Sequence, residues 1–206
     1  MICSSENLDR FILVRPRKGR TLIVTGGNYP GQVTGTGGTY FNVDGGVRSQ
    51  GIEASVDVDV TRNFSAYAAV TVTDAIYTKG FRGASYGGNK VVVPKGANVA
   101  GTPEYMVSGA LNYRSEDFNA QLSVRHIGAA PGDAANTPAL EIDSYTLVDL
   151  SAGYRLPLDG KRSIEARVAI NNLLNERYIG GMLDDFTQRY TVGAPRSASL
   201  TLSLAF

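Results

Sequence analysis

Apolar and polar residues alternate strictly along the last eleven residues of the chain. Ala198, Leu200, Leu202, Leu204 and Phe206 share one parity, whereas small polar residues fill most of the other parity. Because successive side chains of a β-strand point to opposite faces, this pattern predicts a strand with one apolar and one polar face. A membrane-spanning strand needs about 9–11 residues with such alternation. The last strand of a soluble antiparallel sheet has the same pattern, so this segment alone leaves both structures open.

Six further segments show the same alternation and predict six more strands. They cover residues 52–60, 64–77, 105–114, 118–125, 148–156 and 164–171. The connections between the strands alternate in length. Short turns lie at 61–63, 115–117 and 157–161, and long loops lie at 79–102, 128–143 and 173–195. An up-and-down barrel has short turns on one side and long loops on the other, whereas a Greek-key sandwich has no reason to alternate.

Charged residues avoid one parity of these strands. Lys and Arg are absent from the middles of the apolar parities, and charges fill the opposite parities: Glu53, Asp57, Asp59, Arg114, Arg125, Asp149, Arg155, Glu165 and Arg167. A cationic side chain facing lipid at mid-membrane costs about 2–4 kcal/mol, whereas a wet lumen accepts charges. The sequence therefore predicts an all-β fold of antiparallel, up-and-down transmembrane β-barrel strands, about eight in number. Tyr105 and Tyr113 end one apolar face, as aromatic girdles require.

Two features fit this pattern less directly. Asp74 falls on the apolar parity of its strand, which predicts either a position at the outer rim or a β-bulge. Residues 1–46 are less regular: Phe11–Val14 and Thr21–Val24 are short β-type runs that predict a hairpin or one continuing strand, and 26–38 predicts a long glycine-rich loop.

Composition excludes several classes of function. The net charge of +1 gives no indication of a nucleic-acid partner. Cys3 is the single cysteine, so neither an internal disulfide nor a cysteine metal site is expected. No apolar run reaches the length of a transmembrane helix, and the near-neutral mean hydropathy of −0.10 is compatible with a barrel. The first residues lack the features of a signal peptide, so we expect an exported protein to begin upstream of Met1.

The chain contains a single histidine, so any histidine-based catalysis would have to use it. His126 continues the apolar parity of its strand, which places it in a girdle and away from the lumen, unless a bulge reverses the parity. No Gly-x-Ser-x-Gly elbow occurs. We therefore predict that the chain is not an enzyme, has no catalytic or metal-ligating residues and needs no cofactor.

Four segments resemble the TonB-dependent receptors, the outer-membrane transporters of siderophores and other scarce nutrients. They are Gly46–Glu53, Thr73–Tyr77, Asn171–Tyr178, and Gly193–Arg196 with the closing strand. The family fold is a barrel of about 22 strands around an amino-terminal plug. The resemblance implies that residues 1–206 are the carboxy-terminal portion of such a barrel, without the plug and the first barrel strands.

The resemblance also implies function and partners. It predicts a part of a receptor in the outer membrane of a Gram-negative bacterium that binds and imports a nutrient, foremost a ferric siderophore. The implied partners are outer-membrane lipid, the TonB complex acting through the plug, the barrel-assembly machinery and a metal chelate or another small nutrient. A small, self-closing eight-stranded barrel with a structural or adhesive role is the alternative.

Candidate site residues follow from these expectations. Residues on the long loops are candidates for contact with a ligand, although packing or solvation within the loops is the simpler explanation of each one: Tyr86, Tyr178, Asp184, Asp185, Phe186 and Tyr190. The end of the closing strand resembles the signal that the barrel-assembly machinery recognises: Leu202, Leu204 and Phe206.

Overall fold

The chain folds into fourteen β-strands in a computed structural model that describes residues 11–14, 20–24, 28–34, 40–84, 90–158, 162–183 and 189–205. The strands are β1 (Phe11–Val14), β2 (Arg20–Val24), β3 (Asn28–Thr34), β4 (Tyr40–Asp59), β5 (Phe64–Tyr77), β6 (Phe81–Ala84), β7 (Lys90–Val93), β8 (Tyr105–Arg114), β9 (Phe118–Ile127), β10 (Tyr145–Pro157), β11 (Ser163–Asn171), β12 (Ile179–Leu183), β13 (Arg189–Val192) and β14 (Ser197–Ala205). A short 3-10 helix covers Pro138–Leu140. Within the described ranges, no helix is long and apolar enough to cross a membrane.

The main sheet is an antiparallel meander. Its strand order is β1-β2-β4-β5-β8-β9-β10-β11-β14, and β3 pairs with β4 beside this path. All seven strands predicted from the alternation are present. In this sheet β1 and β14 are the edge strands, and they do not pair with each other in the part of the chain that the structure describes. The described sheet is therefore an open wall and not a closed barrel.

The amino-terminal region is more regular than the sequence predicts. β1 and β2 pair as a hairpin, one of the two predicted arrangements. The expectation of a glycine-rich loop over 26–38 is wrong for β3, which pairs with the first half of the twenty-residue β4. Backbone pairing with a long neighbour overrides local propensity here. The register shifts between Pro30 and Gln32, which accommodates a proline within the strand.

Two of the predicted long loops contain hairpins of their own. β6 and β7 pair within the segment expected to be a loop at 79–102, and β12 and β13 pair within 173–195. We call the end of the sheet that carries the long connections the loop end, and the end that carries the short connections the turn end. The long connections are thus partly extensions of the β-structure beyond the sheet.

The register places the apolar parities of β4, β5, β8, β9, β10, β11 and β14 on one face, which we call the outer face. Ile52 is opposite Val72, Leu111 is opposite Leu122, and no register shift interrupts the pairs from β4 to β14. Large side chains of this face remain exposed: Ile52, Val56, Val70, Val72, Val107, Leu111, Leu122, Val124, Leu156, Val168, Leu200, Leu202 and Leu204. A contiguous apolar surface of this kind needs a partner or an apolar solvent.

Buried apolar residues are few and lie at the loop end. In the described part of the chain they are Val93, Ala97, Ala130, Ile142 and Leu147. They pack loops onto the sheet and leave the apolar middle of the strands uncovered. The described residues therefore do not form the internal core that a water-soluble sheet of this size requires.

Aromatic side chains border the outer face at both ends. Near the turn end, the rings of Phe64 and Tyr113 are 4.8 Å apart, and those of Tyr113 and Phe118 are 5.9 Å apart. Near the loop end, Tyr105 stacks on His126 at 5.6 Å. The eight residue steps from Tyr105 to Tyr113 span about 27 Å along the strand, or about 20 Å at a tilt of 35–45°. This height approaches the apolar band of about 25 Å in membrane barrels.

Asp74 lies on the outer face above the loop-end girdle. The register across β4 and β5 is unbroken, which excludes a bulge at this position. The carboxylate Oδ2 of Asp74 accepts hydrogen bonds from Arg48 Nη2 at 2.8 Å and Gln50 Nε2 at 2.9 Å. Val72, two residues before Asp74, is level with Tyr105 of the girdle. Asp74 therefore occupies the outer rim, which confirms the first of the two predicted positions.

Candidate ligand-facing wall and loop end

Polar side chains cover the face opposite the outer face, which we call the inner face. Gln121 Nε2 donates to Asn112 Oδ1 at 2.7 Å, and Asn112 Nδ2 donates to Ser65 Oγ at 3.4 Å, so a hydrogen-bonded chain crosses three strands. Near the turn end, this face borders a concave space of about 550 Å³ whose lining includes Asp59 and Arg167. The inner face therefore suits contact with water or with another polar surface.

Charges of both signs lie on the inner face, since Asp149 on β10 and Glu165 on β11 share it with arginines, and only β4 carries several charges of a single sign. Acidic residues lie on β4, at Glu53, Asp57 and Asp59, whereas β8, β9 and β10 carry Arg114, Arg125 and Arg155. Within the described part of this face, Arg167 and Glu165 form the one ion pair, with 3.0 Å between Nη2 and Oε1. Most charges of the wall are therefore available to a ligand or to another part of the protein.

A buried asparagine closes the root of the last long loop. Asn172 is 4 % exposed, and its backbone N donates to Asp149 Oδ1 at 2.8 Å. Its side-chain Nδ2 donates to the carbonyl oxygens of Glu176 at 2.8 Å and Ala194 at 3.0 Å, while its Oδ1 accepts from the backbone N of Glu176 at 2.8 Å. We call these four residues the loop clasp, because they join the two ends of the loop to β10.

Local conformation explains why asparagine residues build this root. Asn172 and Asn175 have φ values of 52° and 54°, a left-handed region that asparagine adopts more readily than most residues. Asn175 Oδ1 also accepts a hydrogen bond from the backbone N of Arg196 at 3.2 Å, just before β14. The segment Asn171–Tyr178 therefore connects β11 to the start of β14 by specific side-chain contacts.

Tyr178 packs at this root against a second tyrosine. Its ring stacks on the ring of Tyr145 with 4.3 Å between centroids. A Cβ atom at Gly193 would collide with the Tyr178 ring, so glycine is needed at that position. The backbone N of Gly193 donates to the carbonyl oxygen of Tyr178 at 2.8 Å. The orientation of Tyr178 is therefore fixed by two neighbours, Tyr145 and Gly193.

The other two long loops are joined to each other. Asn98 N donates to Asn136 Oδ1 at 2.7 Å, and Asn136 Nδ2 donates back to the carbonyl oxygen of Asn98 at 2.8 Å. The buried carboxylate of Asp133 accepts from Thr137 N at 2.7 Å and Thr137 Oγ1 at 2.6 Å. These contacts hold the loop end between β5 and β10 as one connected platform.

The predicted ligand contacts have different outcomes. Tyr178 lies half-buried at the root of its loop, and Tyr190 is 42 % exposed on β13. Tyr86, Asp184, Asp185 and Phe186 lie outside the described residues. No group of three or more His, Cys, Asp and Glu residues in the described ranges is arranged to hold a metal ion.

Sequence reasoning did not single out Tyr145 or Asn172. Tyr145 opens β10 on the polar parity, and its partner Tyr178 is more than thirty residues away, so no local pattern connects them. A pair of asparagines directly after a strand is a turn signal, and it marks the position of Asn172.

His126 lies on the outer face, as its parity predicts. Its Nε2 is 3.3 Å from the hydroxyl oxygen of Tyr105, and its Nδ1 is 2.9 Å from Thr146 Oγ1. The register on both sides of β9 continues without a shift through this residue. The histidine therefore belongs to the loop-end girdle.

The closing strand β14 pairs with β11 along its whole length. Leu202 is opposite Ala166 and Leu204 is opposite Ile164, which places both leucines on the outer face near the turn end. Phe206 lies outside the described residues.

Comparison with known proteins agrees with this architecture. The family described as "TonB dependent receptor-like, beta-barrel" matches residues 20–173. Ferrioxamine B receptors of two Salmonella typhimurium strains are 30 % identical over 162 residues, which cover 79 % of this chain and 22 % of each receptor. The chain thus spans about a fifth of the length of these relatives.

Solved structures show the same fold. The siderophore receptor PiuA from Acinetobacter baumannii matches with a TM-score of 0.66 and 22 % identity, covering 84 % of this chain and 24 % of that protein. The ferric yersiniabactin uptake receptor FyuA from Yersinia pestis matches with a TM-score of 0.67 and 16 % identity, covering 94 % and 29 %. The antiparallel meander, the apolar outer face and the polar inner face agree with the family match, which covers most of the chain. This chain therefore belongs to the TonB-dependent receptor β-barrel family.

Proposed function

We propose that this chain forms the carboxy-terminal portion of the barrel wall of an outer-membrane receptor that binds and imports a ferric siderophore. The observation that carries the proposal is the two-faced wall, whose outer face is apolar between its two aromatic girdles and whose inner face is polar beneath structured loops. The 30 % identical relatives are ferrioxamine B receptors, which supports an iron chelate as the cargo.

The wall has a defined role in this mechanism. Lipid covers the outer face, the loop end faces the exterior and the turn end faces the periplasm. The external loops and a plug domain bind the chelate, and TonB acts on the plug to open the path. Tyr86, Tyr178, Asp184, Asp185, Phe186 and Tyr190 are the proposed loop contacts. Leu202, Leu204 and Phe206 form the proposed signal for the barrel-assembly machinery.

The geometry favours a wall segment over a small self-closing barrel and over an enzyme. A self-closing barrel requires β1 to pair with β14, and the described residues do not pair in this way. The single histidine, His126, is held by Tyr105 and Thr146 on the lipid side, which supports the proposal that the chain has no catalytic role.

A hybrid receptor tests the proposal. In it, this chain replaces the matching segment of the Salmonella typhimurium ferrioxamine B receptor; controls are the receptor with that segment deleted and a host strain without TonB. We expect the hybrid to assemble in the outer membrane and to import ferric siderophore in a TonB-dependent manner. Failure to assemble would refute the role as barrel wall, and an assembled hybrid that imports no ferric siderophore would refute the transport role.

A further inference from the structure

We infer that Arg125, Tyr145 and Tyr178 form a ligand subsite at the loop end of the inner face, and that it takes an anionic, aromatic iron chelate of the catecholate or phenolate class. The inference rests on the proposed function and narrows its substrate. It is independent of the four candidate contacts that lie outside the described residues.

The three side chains meet on one side of the wall. Arg125 on β9 is opposite Leu147, and Tyr145 lies two residues before Leu147 on β10, so both project from the inner face as diagonal neighbours. Tyr178 stacks on Tyr145 from the last long loop. Burial, followed by the neighbouring Tyr178, raises the pKa of the Tyr145 phenol, and the positive charge of Arg125 opposes that rise. A guanidinium and two aromatic rings therefore share one region at the entrance to the lumen.

The polar groups of these side chains have no partner in the described part of the chain. No hydrogen bond engages the hydroxyls of Tyr145 and Tyr178 there, and no carboxylate lies within ion-pair distance of Arg125. The hydroxyl of Tyr105 on the outer face contrasts with them, because it contacts His126. Three donors on one face thus remain available to a ligand.

The surrounding structure holds the subsite in place. The loop clasp fixes the root from which Tyr178 projects, and Gly193 provides the space for its ring. Leu147, which lies directly opposite Arg125 on the same face, is buried. A ligand would therefore meet aromatic groups that are already ordered, which lowers the entropic cost of binding.

The chemistry of the subsite selects among iron chelates. Guanidinium and phenol groups donate hydrogen bonds to anionic oxygens, and the tyrosine rings offer stacking to a planar aromatic group. Each catecholate is a dianion, so three of them around Fe(III) leave a net negative charge on an aromatic complex. Each hydroxamate is a monoanion, so three of them only neutralise the metal. The subsite therefore favours the catecholate or phenolate type.

The experiment measures binding of two probes to purified receptors: the ferric dihydroxybenzoate complex and ferrioxamine B. It compares the hybrid receptor with the parent Salmonella typhimurium receptor and with the hybrid variants Arg125→Gln, Tyr145→Phe and Tyr178→Phe. The two tyrosine substitutions remove a hydroxyl and keep nearly all of the volume, whereas Arg125→Gln removes the positive charge and leaves a shorter, polar side chain. Arg155→Gln is the matched control, because Arg155 lies on the same inner face near the turn end.

We expect the hybrid to bind the dihydroxybenzoate complex more tightly than the parent does. Arg125→Gln should weaken that binding about tenfold or more, as loss of a charge-assisted hydrogen bond does, and each tyrosine variant by about threefold to tenfold. Binding of ferrioxamine B should change less than threefold, and Arg155→Gln should behave like the unmodified hybrid.

Two results overturn the inference, and they are distinguishable from failure of the proposed function. If Arg125→Gln binds both probes as the unmodified hybrid does, or if Arg155→Gln weakens binding equally, the subsite is refuted while transport stands. If the assembled hybrid binds neither probe, the proposed function fails together with the subsite.

Discussion

Val124 offers a direct test of which face of the wall meets lipid. It lies on the outer face of β9, opposite Gly109 on β8 and Val148 on β10, and it is 43 % exposed. Gly109 is midway between the girdle tyrosines Tyr105 and Tyr113, so Val124 is at mid-membrane height. Its substitution Val124→Arg places a cation at the position where lipid tolerates charge least.

The expected cost depends on the surroundings of the face. In lipid, arginine at mid-membrane costs about 2–4 kcal/mol, which lowers the equilibrium constant for folding about 30-fold to 1,000-fold. In water, a substitution at a half-exposed surface position changes stability by about 0.5 kcal/mol or less. Ser123→Arg is the matched control, because Ser123 directly precedes Val124, points to the inner face and lies opposite Asp149.

The assay is urea unfolding of the hybrid receptor in phospholipid vesicles, with the free energy of unfolding measured for each variant. We expect Val124→Arg to lose about 2–4 kcal/mol relative to Ser123→Arg. Equal free energies of unfolding for the two variants, within about 0.5 kcal/mol, would show that the outer face does not contact lipid.

Three further predictions concern the loop end and the closing strand. Asn172→Ala removes the side-chain bonds of the loop clasp, so the last loop should be cut faster by protease, with a loss of about 2–3 kcal/mol in stability; an unchanged cleavage rate would contradict the role of the clasp. His126→Phe keeps the ring in the girdle, so siderophore uptake should be unchanged, and abolished uptake would contradict the girdle assignment. Deletion of Phe206 should reduce assembly in the outer membrane, measured by heat-modifiable migration on gels; normal assembly would exclude a signal role for this residue.

The sequence predicted the main sheet because its information is local. A period of two marks the strands of the main sheet from β4 to β14, and turn residues separate them, so parity alone assigns each of their side chains to a face. Asp74 shows the limit of this reasoning. Parity identified it as an exception, but only the unbroken register and the position of Val72 level with Tyr105 show that it lies at the rim.

The remaining features depend on contacts between distant residues. The strand β3 contains Gly and Pro and is stabilised by its pairing with β4, which local propensity does not reveal. The loop clasp joins Asn172 to Asp149, 23 residues earlier, and to Ala194, 22 residues later. The pair of Tyr145 and Tyr178 likewise arises from tertiary structure, so composition and spacing could not predict the proposed subsite.

Accessibility along β11 tests the two-faced wall most directly. In a hybrid receptor with Cys3 replaced by Ser, single cysteines at each position from 164 to 170 are spin-labelled in vesicles, and collision rates with oxygen and with a water-soluble nickel chelate are measured. We expect a period of two, with oxygen favoured at Ile164, Ala166, Val168 and Ile170 and the nickel chelate favoured at Glu165, Arg167 and Ala169. Uniform accessibility along the strand, or the opposite phase, would contradict the assignment of the outer face to lipid.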